Sequence, residues 1–359
     1  MPTLGQELHT IADLTARMDP NGKIAAIGEW LSEVNEVCDF LYHKEGNLPE
    51  GERTTVRAGL PSVYYRGYNQ GVPASKSRVA QVDEGAALIE GKSAVDREVA
   101  KSHGDVGEYR LTEANAFFEA MTQTWSNSFF YGNAAFGGFT GIGPRFNDPS
   151  SSVQDQLVDG GGAGADMGSV WLIVTGPMGV CGIYPKNTKA GLRHIDVTKA
   201  TGKADDGVDI GMYWEDADGR EFLALVDQFN WHCGLSVKDP RKVGRLHSID
   251  RSLLTKDFST GADLQDLMVE LMNRVDGLTA PGHKAAWVMD RSVKSYLERQ
   301  VLNSKNSFLT YEEVAGRQFG SGAGTERGAP SSNTPRKQLN FGGIPCLRAD
   351  ALAVNEAAL

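Results

Sequence analysis

Glu108-Tyr109-Arg110-Leu111-Thr112-Glu113-Ala114-Asn115-Ala116-Phe117-Phe118-Glu119-Ala120-Met121-Thr122-Gln123-Thr124-Trp125-Ser126-Asn127-Ser128-Phe129-Phe130-Tyr131 is the stretch on which the reading of the fold turns. Leu111, Ala114, Phe118, Met121, Trp125 and Phe129 recur at three- and four-residue steps, and neither Gly nor Pro interrupts them. At ~1.5 Å per residue this predicts a single helix of roughly 36 Å. Gly132-Asn133 stops it. A helix of that length with so aromatic a stripe is a spine on which other elements pack.

Upstream, residues 1–45 read as two helical stretches parted by Asp19-Pro20-Asn21-Gly22. Leu4, Leu8, Ile11, Leu14 and Met18 mark one apolar face, and Ile24, Ile27, Leu31, Val34, Cys38 and Leu41 the other. Such faces suit a surface helix on its own domain and an arm reaching a neighbour equally well. From Asn47 to about Glu98 the helical period disappears, and short β-prone pieces alternate with Gly and Pro, as in Leu60-Pro61-Ser62-Val63-Tyr64-Tyr65-Arg66-Gly67-Tyr68. A loop of this length is uncommon in a compact domain unless it acts away from its own core. Residues 48–80 carry five basic side chains (Arg53, Arg57, Arg66, Lys76, Arg78) against two acidic ones, whereas residues 81–113 carry four basic against eight acidic. These opposite patches can meet within one chain or between copies of it.

Downstream of the spine come a turn-rich link, Gly137 to Asn147, and Gly160-Gly161-Gly162-Ala163-Gly164. Strands are then expected at Ser169–Thr175, Gly179–Tyr184, Ile210–Trp214, Arg220–Val226, Phe229–Val237 and Lys242–Ile249. Asp218-Gly219 signals a hairpin between the third and fourth. Helices at Ala262–Val275 and Arg291–Leu302 flank a short strand, Trp287-Val288-Met289, and Thr310–Val314 reads as one more helical turn. The Gly/Ser-rich stretch 320–333 reads as a mobile link before a closing strand region, Gln338–Arg348, and an Ala-rich tail.

The chain has 359 residues, 40% hydrophobic and 23% charged, within the ordinary range for a folded soluble protein. With 36 Lys and Arg against 46 Asp and Glu, the formal charge is −10, so any nucleic-acid contact is expected to be local or weak. The longest apolar runs, such as Val170–Val174, fall far short of the ~20 residues of a membrane helix, and no membrane association is expected. The first residues lack the basic and apolar regions of a signal peptide, and no Asn-x-Ser/Thr sequon occurs. Cys38, Cys181, Cys233 and Cys346 are scattered without zinc-ligand spacing and read as reduced, mostly buried thiols.

Each catalytic signature fails at a residue that matters. Gly91-Lys92-Ser93 imitates the end of a phosphate loop, but Ala86 stands where the first glycine is required. Gly162-Ala163-Gly164 lacks the third glycine of a dinucleotide cradle. Gly234-Leu235-Ser236-Val237-Lys238 lacks the closing glycine of a nucleophile elbow, and Asp216-Ala217-Asp218-Gly219 lacks the leading carboxylate and distal Glu of a calcium loop. Trp231-His232-Cys233 places two metal-binding types on adjacent strand residues, which point to opposite faces. The seven histidines are dispersed. No catalytic, cofactor-binding or metal-ligating residue is assigned, and no cofactor is expected.

The order of elements is N-terminal helical arm, extended loop, aromatic spine helix, β-rich section, compact α/β section and returning strand. It resembles the major capsid proteins of tailed bacteriophages with the Hong Kong 97-type fold, and within them the seven-type subfamily with a short N-terminus. The resemblance is sharpest at Phe130-Tyr131-Gly132-Asn133, Phe139-Thr140-Gly141-Ile142, Gly182–Leu192, Trp231–Pro240 and Phe341-Gly342-Gly343-Ile344-Pro345. It covers nearly the whole chain and rests on order and spacing, since none of these motifs is catalytic.

The resemblance implies an α+β fold with an N-terminal arm (1–47), an extended loop (48–100) and a peripheral domain with the spine helix and β-rich section (101–254). An axial domain (255–345) and a return to the peripheral domain (346–359) complete it. It implies a coat subunit that forms pentamers and hexamers and closes into an icosahedral head around double-stranded DNA, held by weak, non-specific contact. A separate scaffolding protein is expected, since no long scaffolding region precedes the arm, together with portal and decoration proteins. The subunit would be assembled in the host bacterial cytoplasm and carried in the virion. Some relatives crosslink loop lysines to neighbouring asparagines; Lys76 and Lys92 lie in the loop region, but nothing in the sequence marks them as reactive. Two rivals are an encapsulin-type nanocompartment shell, distinguished by its gene neighbourhood, and a soluble hydrolase with a site assembled from distant residues, distinguished by its small size in solution.

Overall fold

The computed structural model describes residues 32–102, 106–151, 153–198, 208–215, 219–255, 261–303, 309–314 and 336–356. In chain order the elements are α1 (Val37–Phe40), β1 (Tyr42–Glu45), β2 (Gly51–Gly59), β3 (Arg78–Asp96), α2 (Arg97–Ser102) and α3 (Val106–Tyr131). There follow β4 (Leu157–Asp159), β5 (Met167–Thr175), β6 (Val180–Tyr184), β7 (Leu192–Asp196), β8 (Met212–Glu215), β9 (Glu221–Val237) and β10 (Val243–Asp250). The chain continues through α4 (Leu264–Arg274), β11 (Lys284–Met289), α5 (Arg291–Asn303), β12 (Leu309–Val314), β13 (Arg336–Phe341) and β14 (Ile344–Arg348).

One sheet path, β12-β13-β14-β11-β5-β6-β9-β3-β2, runs through the molecule. β5 sits in its middle, and all nine of its residues are buried. Successive strand side chains point to opposite faces. Trp171 and Ile173 accordingly join one core with Trp125, Phe129 and Phe130 of the spine, while Val170, Leu172 and Val174 join a second with α4, α5 and Phe341. β11 divides in the same way, Ala286 and Val288 to the first core and Trp287 and Met289 to the second. A strand covered on both faces reads as an unbroken apolar run, which is how Val170–Val174 appears in the sequence.

The spine forms as the periodicity predicts, as the 26-residue α3, with Tyr109, Ala114, Met121, Trp125 and Phe129 buried. Its first turns deviate from the predicted stripe: Leu111 is 61% exposed, and Tyr109, Arg110 and Glu113 face the body there instead. β8 and β9 pair as the arms of the expected hairpin, with Met212 opposite Ala224 and Glu215 opposite Glu221, while residues 216–218 of its turn lie outside the described residues.

Four expectations are corrected. Arg220–Val226 and Phe229–Val237 are one 17-residue strand, because the polar Asp227 between them is buried against an arginine of the spine rather than placed in a turn. Thr310–Val314 is not a helical turn but lies in β12, paired antiparallel with β13 from Leu309↔Phe341 to Val314↔Arg336, so a partner 22 or more residues away overrides the local pattern. The segment 48–98 is not loop throughout: β2 pairs with Arg78–Gly85 of β3, β3 continues for 19 residues through Gly85 and Gly91 to pair with β9, and 60–77 stays irregular. Gly91 marks a close approach instead of a break: a Cβ there would lie 2.8 Å from the Phe117 ring. The stretch Ile24–Leu41 is not one continuous helix over its described part, residues 32–41, where only the four residues of α1 are helical and a strand parallel to β6 follows. The first helical stretch and the Gly/Ser-rich link 320–333 lie outside the described residues.

Candidate functional site

Among the described residues, the partial catalytic signatures of the sequence do not come together as a catalytic constellation. Gly91-Lys92-Ser93 lies in mid-strand on β3, and Gly234-Leu235-Ser236 lies in mid-strand on β9 with no helix after it. Burial pushes the thiols of Cys38, Cys233 and Cys346 up to about 12 and raises that of Cys181, so none is a ready nucleophile. Among the described residues no group of three His, Cys, Asp or Glu is placed to hold a metal ion, and no helix is long and apolar enough to cross a membrane.

Among the described residues the most exposed apolar side chains are at the end of the β2–β3 hairpin. Leu60, Val63, Tyr65 and Tyr68 are 80%, 88%, 108% and 102% exposed. The tip keeps its shape through local bonds, Arg66 Nε donating to the Gln70 carbonyl at 2.7 Å and Ser75 Oγ to the Ser62 carbonyl at 2.7 Å. Aromatic rings interleaved with Arg66, Lys76 and Arg78 and lacking a core of their own mark an interaction surface.

The hairpin is fastened at its root. Gly51, with φ 153°, lies so near β3 that a Cβ would sit 2.0 Å from the Glu84 carbonyl oxygen. Glu52 and Glu84 stand directly opposite each other, both buried. Arg145 donates to Glu84 through Nη1 and Nη2 at 2.6 and 2.7 Å and to the Gly141 and Thr140 carbonyls at 3.2 and 3.1 Å. Glu52 accepts from Lys44 Nζ and pairs with Lys238 Nζ at 3.4 Å. One carboxylate cannot serve both ammonium groups equally. Burial and the Lys44 charge hold Lys238 below its ordinary value, although Glu52 opposes them. Further out Arg53 forks on Asp83 at 2.6 and 2.7 Å, so the basic and acidic blocks of the sequence meet here within one chain.

Two further charge clusters tie the body together. Arg110 of the spine donates to Asp227 at 2.8 and 2.6 Å and lies 2.8 Å from Asp196 and 3.8 Å from Asp209. Its burial opposes the charge, but the bonds to Asp227 and Asp196 outweigh it and raise the guanidinium above its ordinary value. His194 Nε2 reaches the same Asp227 at 2.7 Å, its ring stacked on Phe229. Near the end of the chain Glu356 accepts from Tyr131 at 2.5 Å, from Arg245 at 2.9 Å and from Ser169. Segment 34–36 is stitched to 348–351, with Glu36 N–H to the Arg348 carbonyl and Asp350 N–H to the Val34 carbonyl, each at 3.1 Å.

Sequence reasoning missed Glu52, Glu84, Arg110, Arg145 and Glu356, because nothing local announces that a charged side chain will be buried. Only Asp227 left a signal, as a lone carboxylate between the apolar run Phe222–Val226 and the aromatic residues Phe229 and Trp231.

The molecule is an α+β body with a projecting, electrostatically anchored hairpin and an exposed aromatic tip, and its fold is that of phage capsid subunits of the Hong Kong 97 type. The chain belongs to the major capsid protein GP7 family, whose model matches residues 19–359. A solved chain of bacteriophage epsilon15 is 28% identical, with a TM-score of 0.72 over 100% of this chain and 99% of that one. The capsid of bacteriophage JBD30 is 11% identical with a TM-score of 0.43, covering 91% of each chain. The SrpI encapsulin of Synechococcus elongatus is 9% identical with a TM-score of 0.39 over 67% of this chain and 96% of that one. No curated protein matches the sequence. The chain is thus a tailed-phage major capsid protein, a virion component that assembles from copies of itself, and its family and fold point to a structural role.

Proposed function

We propose that the subunit closes with its copies, through pentamers and hexamers, into an icosahedral head enclosing double-stranded DNA, and that it catalyses no reaction. The observation that supports this is the hairpin tip, since a single copy gains nothing by holding Tyr65 and Tyr68 fully in solvent. Rings and shells need different surfaces on the two sides of each subunit, which a projection and the body that receives it supply. In this reading 48–100 is the extended loop laid over a neighbour and 1–47 the arm that clasps another. Residues 101–254 form the peripheral domain, 255–345 the axial domain and 346–359 the return. The charge of −10 keeps packaged DNA at arm's length. A scaffolding protein, a portal and decoration proteins complete the particle, which is built in the host cytoplasm.

The test is sedimentation and negative-stain microscopy of the purified chain with and without residues 61–75. The intact chain is expected to give rings or shells, and the shortened chain a folded but small species. A lone globule at high concentration with assembly partners present, or turnover of a metabolite, would overturn the reading.

A further inference from the structure

We infer that the outer edge of β2 is a strand-docking site for an extended segment of a second copy of this chain. β2 is the terminal strand of the sheet path and, among the described residues, pairs with β3 alone apart from the single bridge of Gly51 to Leu48 at its start. Residues 54–60 all line one groove of about 1090 Å³ between the hairpin and the body. Side chains of a strand alternate between its faces, so consecutive residues share one space where the backbone edge itself faces it.

Asn47 shows what that edge accepts. Its Oδ1 takes the Arg53 N–H at 2.7 Å and its Nδ2 donates to the Arg53 carbonyl at 2.8 Å, the two bonds a neighbouring strand would make. Arg53 thus turns both backbone groups away from β3. The register is unbroken from Arg53↔Asp83 to Arg57↔Val79, and by the two-residue period Thr55 and Arg57 turn theirs outward as well. Among the described residues nothing bonds to those groups. Inside the groove two buried hydroxyl oxygens, Thr54 Oγ1 and Ser236 Oγ, also have no hydrogen-bond partner. The edge is therefore begun by a side chain and left open, with polar groups waiting beneath it.

Charge points to the occupant. The groove wall carries two more basic than acidic side chains, Arg57, Lys238 and Lys242 among them, whereas the subunit as a whole carries −10. A second copy is the partner this family assembles with. Strand addition lets main-chain bonds supply the attraction while the groove walls select the side chains. This inference rests on the hairpin being an inter-subunit element, as proposed above.

Hydrogen exchange resolved to single amides, on free subunits and on assembled shells of the full chain, tests it. The Thr55 and Arg57 amides are expected to exchange fast in the free subunit and about 100-fold more slowly in shells. Protection already present in the free subunit means that the chain's own residues fill the edge, and overturns the inference. So does protection that appears only when a different virion protein is added. Shells in which the tip becomes protected while Thr55 and Arg57 stay fast overturn the docking and leave the hairpin's role intact; shells in which neither changes overturn both. Thr55→Pro is the companion variant, because it removes only an outward N–H and so spares the β3 ladder. It is expected to keep the far-ultraviolet spectrum of the subunit and lower the shell yield by at least about tenfold. Normal assembly of that variant would also overturn the inference.

Discussion

Arg145 grips Glu84 with both arms of its guanidinium, at 2.6 and 2.7 Å, where the β2–β3 hairpin leaves the body. Glu52 faces Glu84 across the ladder, so two carboxylates share one side of the hairpin root and each needs its own cation. Arg145→Met keeps most of the stem volume but strands a buried carboxylate, at a cost of about 3 kcal/mol. The expected result is a lower urea midpoint and faster proteolysis within the hairpin. Adding Glu84→Gln restores most of the loss if the pair is its cause. A single variant as stable as the parent would show that the clasp holds nothing.

Arg110 serves three carboxylates, and its removal is expected to be costlier than that of an ordinary surface arginine. Arg110→Met takes the shared cation away from Asp227, Asp196 and Asp209. A loss on the order of 3–5 kcal/mol follows from leaving buried charge unpaired. Urea midpoints of parent and variant measure the loss, and adding Asp227→Asn to Arg110→Met should recover part of it if unpaired charge is the cause. No recovery would assign the loss to packing.

Trp125 stacks on Phe129 at 5.4 Å and on Trp231 at 5.7 Å, pinning the spine to β9. Trp125→Ala is expected to cost about 3–5 kcal/mol through the cavity it leaves. Leu111→Ala, on the same helix but in solvent, should change stability by less than about 0.5 kcal/mol. Thermal melts of the two variants decide the point, and equal losses would refute the placement of the helix face.

What the sequence reveals of this fold follows from how local its causes are. The spine was legible because a 3.6-residue period needs no partner to be recognised, and β5 because an unbroken apolar run survives burial on both faces. β12 was not legible, since Thr310, Tyr311 and Val314 become a strand only by pairing with Arg336–Phe341. The long β3 was hidden by Gly85 and Gly91, which look like breaks until the Phe117 ring is seen against the second. Leu111 misled because an apolar residue at the right step still faces solvent when a neighbouring Arg110 is needed inside. The hairpin tip could be read as an element with work outside its own core. Its anchoring carboxylates could not, because Glu52 and Glu84 look like any surface glutamate until Lys44, Lys238 and Arg145 are brought to them.

His247 ties stability to pH on the acid side of neutrality. It is buried beside Ser248, whose backbone is left-handed at φ 55°, and its Nδ1 lies 2.9 Å from the Ser248 hydroxyl. Burial, helped by the Arg245 guanidinium, holds its pKa below the ordinary 6.5, although Asp159 at 3.8 Å and Glu356 pull the other way. The folded chain therefore prefers the neutral ring, and the unfolded chain takes up the proton first as the pH falls. Stability is fully present above 6.5 and drains away as the pH drops from there through the lower folded value. The melting temperature should decline between about pH 6.5 and 5, and His247→Gln should flatten that decline. The carboxylate of Asp239, held below its ordinary 3.8 by Arg241 against the effect of burial, adds its loss only at more acidic pH. An unchanged slope in the His247→Gln variant would assign the titration to another group.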